Sequence, residues 1–183
     1  MESLWGAWPA SVASEAVLAI YVLALVSAGT SDFFHLRIPN WLTGAMALGF
    51  PAAVIAAHGI DLHTIDWRAI DWLSHIEAGA AVFVGAAILF ACRVLGGGDV
   101  KLLAAMALWS GLHLVLPLLF LVAIIGGLFA LLVLGLRQPL VQASILGTLR
   151  RAPAFIYSRM PIPYGVPIAI AGVLMAPHLP FLA

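Results

Sequence analysis

Long apolar runs separated by brief polar clusters set the architecture of this chain. Residues 16–31 carry no charge, and the run extends back toward Pro9 to make a first helix. Residues 38–60 are uncharged in the same way, as are residues 78–92 between Glu77 and Arg93, and they predict a second and a third. A bilayer core of ~30 Å takes about 20 helical residues, fewer where flanking side chains snorkel, so each run reads as a crossing. Residues 102–136 make 35 positions without a charge. As one helix they would extend ~52 Å, too long for one crossing. The stretch WSGLHLVLP, Trp109 to Pro117, offers a turn in the middle and predicts a tight hairpin of a short fourth helix and a fifth. Residues 160–180, opening with MPIPYGVP, supply a sixth. The pattern therefore predicts an all-α polytopic membrane protein: six transmembrane helices in a single transmembrane domain over residues 1–183.

Composition agrees. Hydrophobic residues make up 64% of the chain and charged ones 9%, with a mean hydropathy of +1.13. In soluble domains charged residues run near a quarter, so an ordinary soluble protein is excluded. Net charge is zero, which offers no electrostatic argument for nucleic acid as a partner. The single cysteine, Cys92, excludes a disulfide framework and a zinc knuckle. The N-terminal stretch MESLWGAWPASVASE has two acids and no base, unlike a cleaved signal peptide, so the first helix is expected to be retained.

Six alternating spans sort the basic residues by side. Arg37, Arg93, Lys101, Arg137, Arg150, Arg151 and Arg159 fall on one side and Arg68 alone on the other. Positive residues mark the cytoplasmic side. Both termini are then expected outside, with cytoplasmic loops at about 32–40, 93–101 and 137–160. The last of these places Val141, Ile145, Leu146 and Leu149 at helical spacing among its arginines. Two readings stand there: an amphipathic helix lying on the anionic inner leaflet, or a solvated loop.

Two carboxylates, Asp32 and Asp99, fall on that same side, each beside an apolar run. A carboxylate at membrane depth costs several kcal/mol unless it reaches water or a partner, so each requires a reason. Singly, Asp99 reads as a helix N-cap, without a capping box because Leu102 stands at the third position. Asp32 reads singly as a helix-end acid paired with Arg37. Together they fit a shared catalytic site, in which one acid holds a proton and the other acts as base. That arrangement can activate water on a peptide carbonyl while protonating the leaving amide. Gly96, Gly97 and Gly98 remove side chains beside Asp99 and permit close backbone approach. Pro39 forces Ile38 out of the helical region and starts the next helix, and Asn40 adds an amide near the turn. Lys101 and Arg37 either tune the pair or contact substrate, or serve only as positive anchors. The histidines His35, His58, His63, His75, His113 and His178 are scattered, four of them in expected outer loops or turns, and no H-E-x-x-H motif predicts a metal site. Neither a G-x-S-x-G elbow nor a nucleotide-binding G-K-[ST] is present.

These residues resemble a known family. SDFFHLRIPNWLT is similar to the D-x5-I-P-N segment of type IV prepilin leader peptidases, GGGDVKLLAAM to their G-x-G-D motif, and IPYGVPIAIAGV to their last helix. G-x-G-D alone is shared with presenilin-like intramembrane proteases, but D-x5-I-P-N stands in front of it here and no P-A-L segment is seen. The resemblance implies an aspartic endopeptidase with catalytic Asp32 and Asp99, motif glycines at Gly96 and Gly98, and no metal or organic cofactor. It implies a pilin or pseudopilin precursor as partner, with its leader cleaved at the cytoplasmic face of the bacterial inner membrane. Longer members carry a four-cysteine cytoplasmic domain and many also N-methylate their product. This chain has one cysteine and no such insertion, so it resembles the short form of Flp/Tad-type pili and methyl transfer is not expected. Archaeal preflagellin peptidases share both aspartate motifs. From another class, a transporter or a pilus or secretion assembly scaffold using helix-end acids is the alternative.

Overall fold

The structure is a computed structural model that describes residues 10–58, 71–141, 153–157 and 161–179. Among them it is all-helical: α1 (Ala10–His35), α2 (Asn40–His58), α3 (Trp72–Ala91), α4 (Gly97–Leu136), the short α5 (Pro139–Val141) and α6 (Ala154–Tyr157), and α7 (Gly165–Met175), which runs into a 3-10 turn (Ala176–His178). Ser14–His35, Trp72–Ala91 and Gly97–Leu136 are each long and apolar enough to cross a membrane, and shorter apolar helices cover Asn40–Ala56 and Gly165–His178. The helix surfaces are apolar too: Ile20, Leu48, Ile88, Leu116, Phe120 and Leu131 are all exposed. Apolar side chains spread over every face are what lipid, not water, tolerates.

α4 is one run of helix only by count, because Gly111 sits at φ +64°, ψ 178°, a conformation open essentially to glycine. The chain reverses there. Val133 and Leu136, at one end of α4, cluster with Phe33 and Leu36 at the C-terminal end of α1. Asp99, at the other end, lines a cavity that Asp32 and Leu36 also line. Gly111 itself packs on Ser74 and His75 in the first turn of α3. So the arms 97–110 and 112–136 form a hairpin, and its turn falls inside the expected WSGLHLVLP stretch.

The first turn of α3 explains how the break is tolerated. The Leu112 N–H donates to Ser74 Oγ at 2.9 Å, and His75 Nδ1 lies 2.7 Å from the Leu108 carbonyl oxygen. The sequence reading starts this helix at residue 78 and leaves His75 in an outer loop, and both expectations are corrected. α3 begins at Trp72, capped by Asp71, whose side chain accepts the Ser74 N–H at 3.1 Å, and His75 is buried. Polar residues there serve the bend rather than mark a loop. α2 and α7 begin later than the uncharged runs 38–60 and 160–180, because Ile38, Pro39 and residues 161–163 are not helical. The amphipathic reading of loop 137–160 lies largely outside the described residues.

Trp109 is the centre of the core. Its ring lies 4.6 Å from Tyr21 and 6.1 Å from Phe50 between centroids, and its indole N–H donates to the Met46 carbonyl at 2.8 Å. α7 is drawn in against α1 and α4 because a Cβ at Gly172 would stand 2.6 Å from Met106 Cε and 2.7 Å from Leu25 Cδ1. Small residues at such crossings let helices pack closely where no water drives them together.

Candidate active site

Each aspartate owes its position to a helix end. α1 continues past Asp32 to His35, and Leu36 ends it in the left-handed region at φ 52°, donating its N–H to the Asp32 carbonyl at 2.9 Å. Ser31 Oγ donates to the Arg37 carbonyl at 2.8 Å and ties the turn back on itself. Ile38 and Pro39 stay out of the helix, as a residue before proline tends to, and α2 begins at Asn40. On the other side, Arg93 turns at φ 60° after α3, and Gly96 caps α4.

Asp99 is not the N-cap that its sequence context predicts. The helix opens at Gly97, so Asp99 is its third residue, and the Asp99 carboxylate accepts the N–H of the cap residue Gly96 through Oδ2 at 3.2 Å. This is the carboxylate half of a capping box, which the sequence reading assigned to Leu102 and so did not expect.

Asp32 accepts its hydrogen bond from the Gly165 N–H at 2.7 Å, also through Oδ2, and not from Arg37. The Gly165 amide lies at the N-terminus of α7, where helix N–H groups lack intrahelical partners. Among the described residues, Oδ1 of either aspartate makes no hydrogen bond. Both side chains are buried, 6% exposed for Asp32 and 8% for Asp99, and the two are near enough to interact electrostatically.

The two line one cavity of about 530 Å3, whose wall is as much polar as apolar. Its wall includes Arg37, Pro39, Asn40, Gly96, Gly97 and Gly98, so every expected site residue but Lys101 reaches it. Lys101 acts one step away, donating from Nζ to Asn40 Oδ1 at 2.9 Å. Tyr164 lies beyond the cavity, its ring over Gly126. Among the described residues no three His, Cys, Asp or Glu side chains gather as a metal site.

The glycines act here by close packing rather than by positive φ. A Cβ on Gly98 would come 3.1 Å from Ile38 Cβ, and one on Gly96 would come 2.8 Å from Asp99 Oδ2. Gly165 is tighter, with Asp32 Cβ and Oδ2 both at 2.8 Å and Ile38 Cδ1 at 2.9 Å. Ile38 is thus wedged between the glycine before Asp99 and the glycine that holds Asp32. Gly165 and Ile38 are the residues that sequence reasoning missed. The available signal was a glycine at the start of an apolar helix whose first turn holds a proline, in IPYGVP, which leaves an unpaired amide at the helix start.

The described basic residues Arg37, Arg93, Lys101 and Arg137 all lie at this end of the bundle. Arg37 is in the cavity wall, Arg93 in the turn before Gly96, Lys101 on Asn40, and Arg137 donates to the Phe155 carbonyl at 2.8 and 3.0 Å beside Phe33.

No curated protein and no solved structure matches the chain. A family model, described as the type IV leader peptidase family, matches residues 19–131 and so covers more than half of it, both aspartates included.

Proposed function

The chain belongs to the type IV leader peptidase family, a family of membrane proteases, and from that premise we propose that it is an aspartic endopeptidase acting through Asp32 and Asp99. The observation that carries the reading is the pair of buried carboxylates lining one polar cavity at a single end of the bundle. The substrate we propose is a type IV, Flp-type or pseudopilin precursor, whose short leader precedes an apolar helix. The four basic residues at the aspartate end support a cytoplasmic face of the inner membrane as the place of cleavage, with both termini outside.

In this mechanism the two acids share one proton. The ionised carboxylate takes a proton from water as the water oxygen bonds to the scissile carbonyl carbon. The protonated partner gives its proton to the carbonyl oxygen. As the tetrahedral species collapses, one hydroxyl proton returns to the second aspartate, the C–N bond breaks, and the amide nitrogen leaves with the proton that the first aspartate received. The Gly165 and Gly96 amides orient the carboxylates through Oδ2, so Oδ1 is the oxygen turned to the reaction. With a single cysteine and no four-cysteine insertion in the chain, we propose no N-methylation of the product.

The test is cleavage of a co-expressed precursor by Asp32→Asn and Asp99→Asn. Each is expected to lower cleavage by at least about 100-fold, the usual worth of positioned acid–base groups. Wild-type cleavage by either variant would sink the dyad and favour a transporter or assembly scaffold.

A further inference from the structure

Beside the aspartate cavity a second, apolar groove of about 510 Å3 runs along the flank of the bundle. Its walls are Gly44 and Ala47 of α2 and Gly79 and Ala80 of α3, and its floor is Ala104 and Ala105 of α4. α2 and α3 close it at the end away from the aspartates, where Phe50 lies 5.8 Å from Trp72 and 4.7 Å from His75 between ring centroids. Toward the aspartates it opens, and its only charged lining residue, Lys101, stands there with Asn40.

One feature separates it from the other apolar grooves. Asn40 lines both this groove and the aspartate cavity, whereas the grooves along α1–α7, α1–α2 and α3–α4 share no lining residue with that cavity. Its small walls let another helix backbone approach closely. At Gly44 the space is open outright, because an added Cβ would meet nothing within 4 Å.

We propose that this groove is the docking site for the apolar helix of the precursor, with the leader junction passing Asn40 into the cavity between Asp32 and Asp99. The inference rests on the leader-peptidase reading. A scissile bond held at that cavity must be joined, within a few residues, to a helix lying in lipid beside it. This groove is the one that leads there.

Glycines with open space allow a controlled test. An added Cβ meets nothing within 4 Å at Gly44, Gly85 or Gly127, so a side chain can start from each without a backbone clash. Gly44→Phe fills the groove and is expected to reduce precursor cleavage about tenfold or more, chiefly through KM, as the loss of one close helix contact would. Gly85→Phe and Gly127→Phe are expected to cleave as wild type. In a second arm, a photoreactive phenylalanine replaces exposed Phe83 in the groove or exposed Ile170 in the α1–α7 groove, within Asp99→Asn protein holding intact precursor. A precursor adduct at position 83 and none at position 170 supports docking here. Wild-type cleavage by Gly44→Phe, or adducts at 170 alone or at neither position, overturns it. Adduct at 83 from a precursor that the wild-type protein never cleaves leaves docking standing and removes the protease reading instead.

Discussion

Asp99 takes its hydrogen bond from Gly96, three residues before it, whereas Asp32 takes its own from Gly165, 133 residues further along the chain. Their helix contexts are opposite as well. Asp99 lies in the first turn of α4, where the helix dipole favours a negative charge. Asp32 lies in the last turn of α1, where the dipole of its own helix disfavours one, and the N-terminus of α7 offsets this from outside. One half of the site is therefore built by local sequence. The other exists only once α7 has docked on α1. Ile38 joins the halves by filling the space between Gly98 and Gly165.

If that contrast holds, Gly165→Ala is the most damaging glycine change. Its Cβ would collide with the Cβ of Asp32, which cannot swing aside as a side-chain tip can. Precursor cleavage is expected to fall tenfold to a hundredfold, about the 1.5–3 kcal/mol worth of a hydrogen bond to a charged group. Cleavage kinetics read beside thermal melting in detergent check this, and a wild-type rate would erase the distinction between the two seats. Gly96→Ala tests the local half. Its Cβ meets only Asp99 Oδ2, which can rotate, so a loss of about 1 kcal/mol at the cap is expected, with cleavage down by about fivefold. A loss as deep as that of Gly165→Ala would show that the two halves depend on the fold equally.

The smallest effects belong to the two turns. Arg93 is exposed at φ 60°, so Arg93→Gly is expected to raise the melting temperature slightly, by up to about 1 kcal/mol of relieved strain, with cleavage unchanged. The matching change Leu36→Gly is expected to lower it, because Leu36 packs beside Val133 and Phe155 and that loss outweighs the relief. Melting curves of the pair decide this, and equal shifts of one sign would mean that the turns are interchangeable.

Much of this molecule is legible in its sequence for a simple reason: lipid leaves polar residues few places to stand. Asp32 and Asp99 stand out because apolar runs surround them, and Gly111 falls in the one stretch where a run of 35 uncharged residues can turn. The same reasoning fails where polarity is internal. Asp71, Ser74 and His75 read as loop because they are polar, yet they cap α3 and complete the broken helix across from them. Asp99 reads as a cap because three glycines look like loop, yet two of them are already helical. For Gly165 the local pattern offers a free helix-start amide but not its partner, which lies in the first helix. What sequence pattern reveals is depth and periodicity. Which amide meets which carboxylate is fixed by packing.

The bend at Gly111 also carries a consequence for biogenesis. The arm 97–110 is 14 residues long, about 21 Å of helix against a hydrocarbon core of ~30 Å, so the reversal occurs below the far surface of the membrane. Backbone groups exposed there have no water to turn to, and it is the first turn of α3 that receives them. At ~52 Å an uncharged run of this length must turn somewhere, and the partners on α3 fix where it does. The position of the turn is thus set by a neighbour already in place, and α3 leaves the ribosome first.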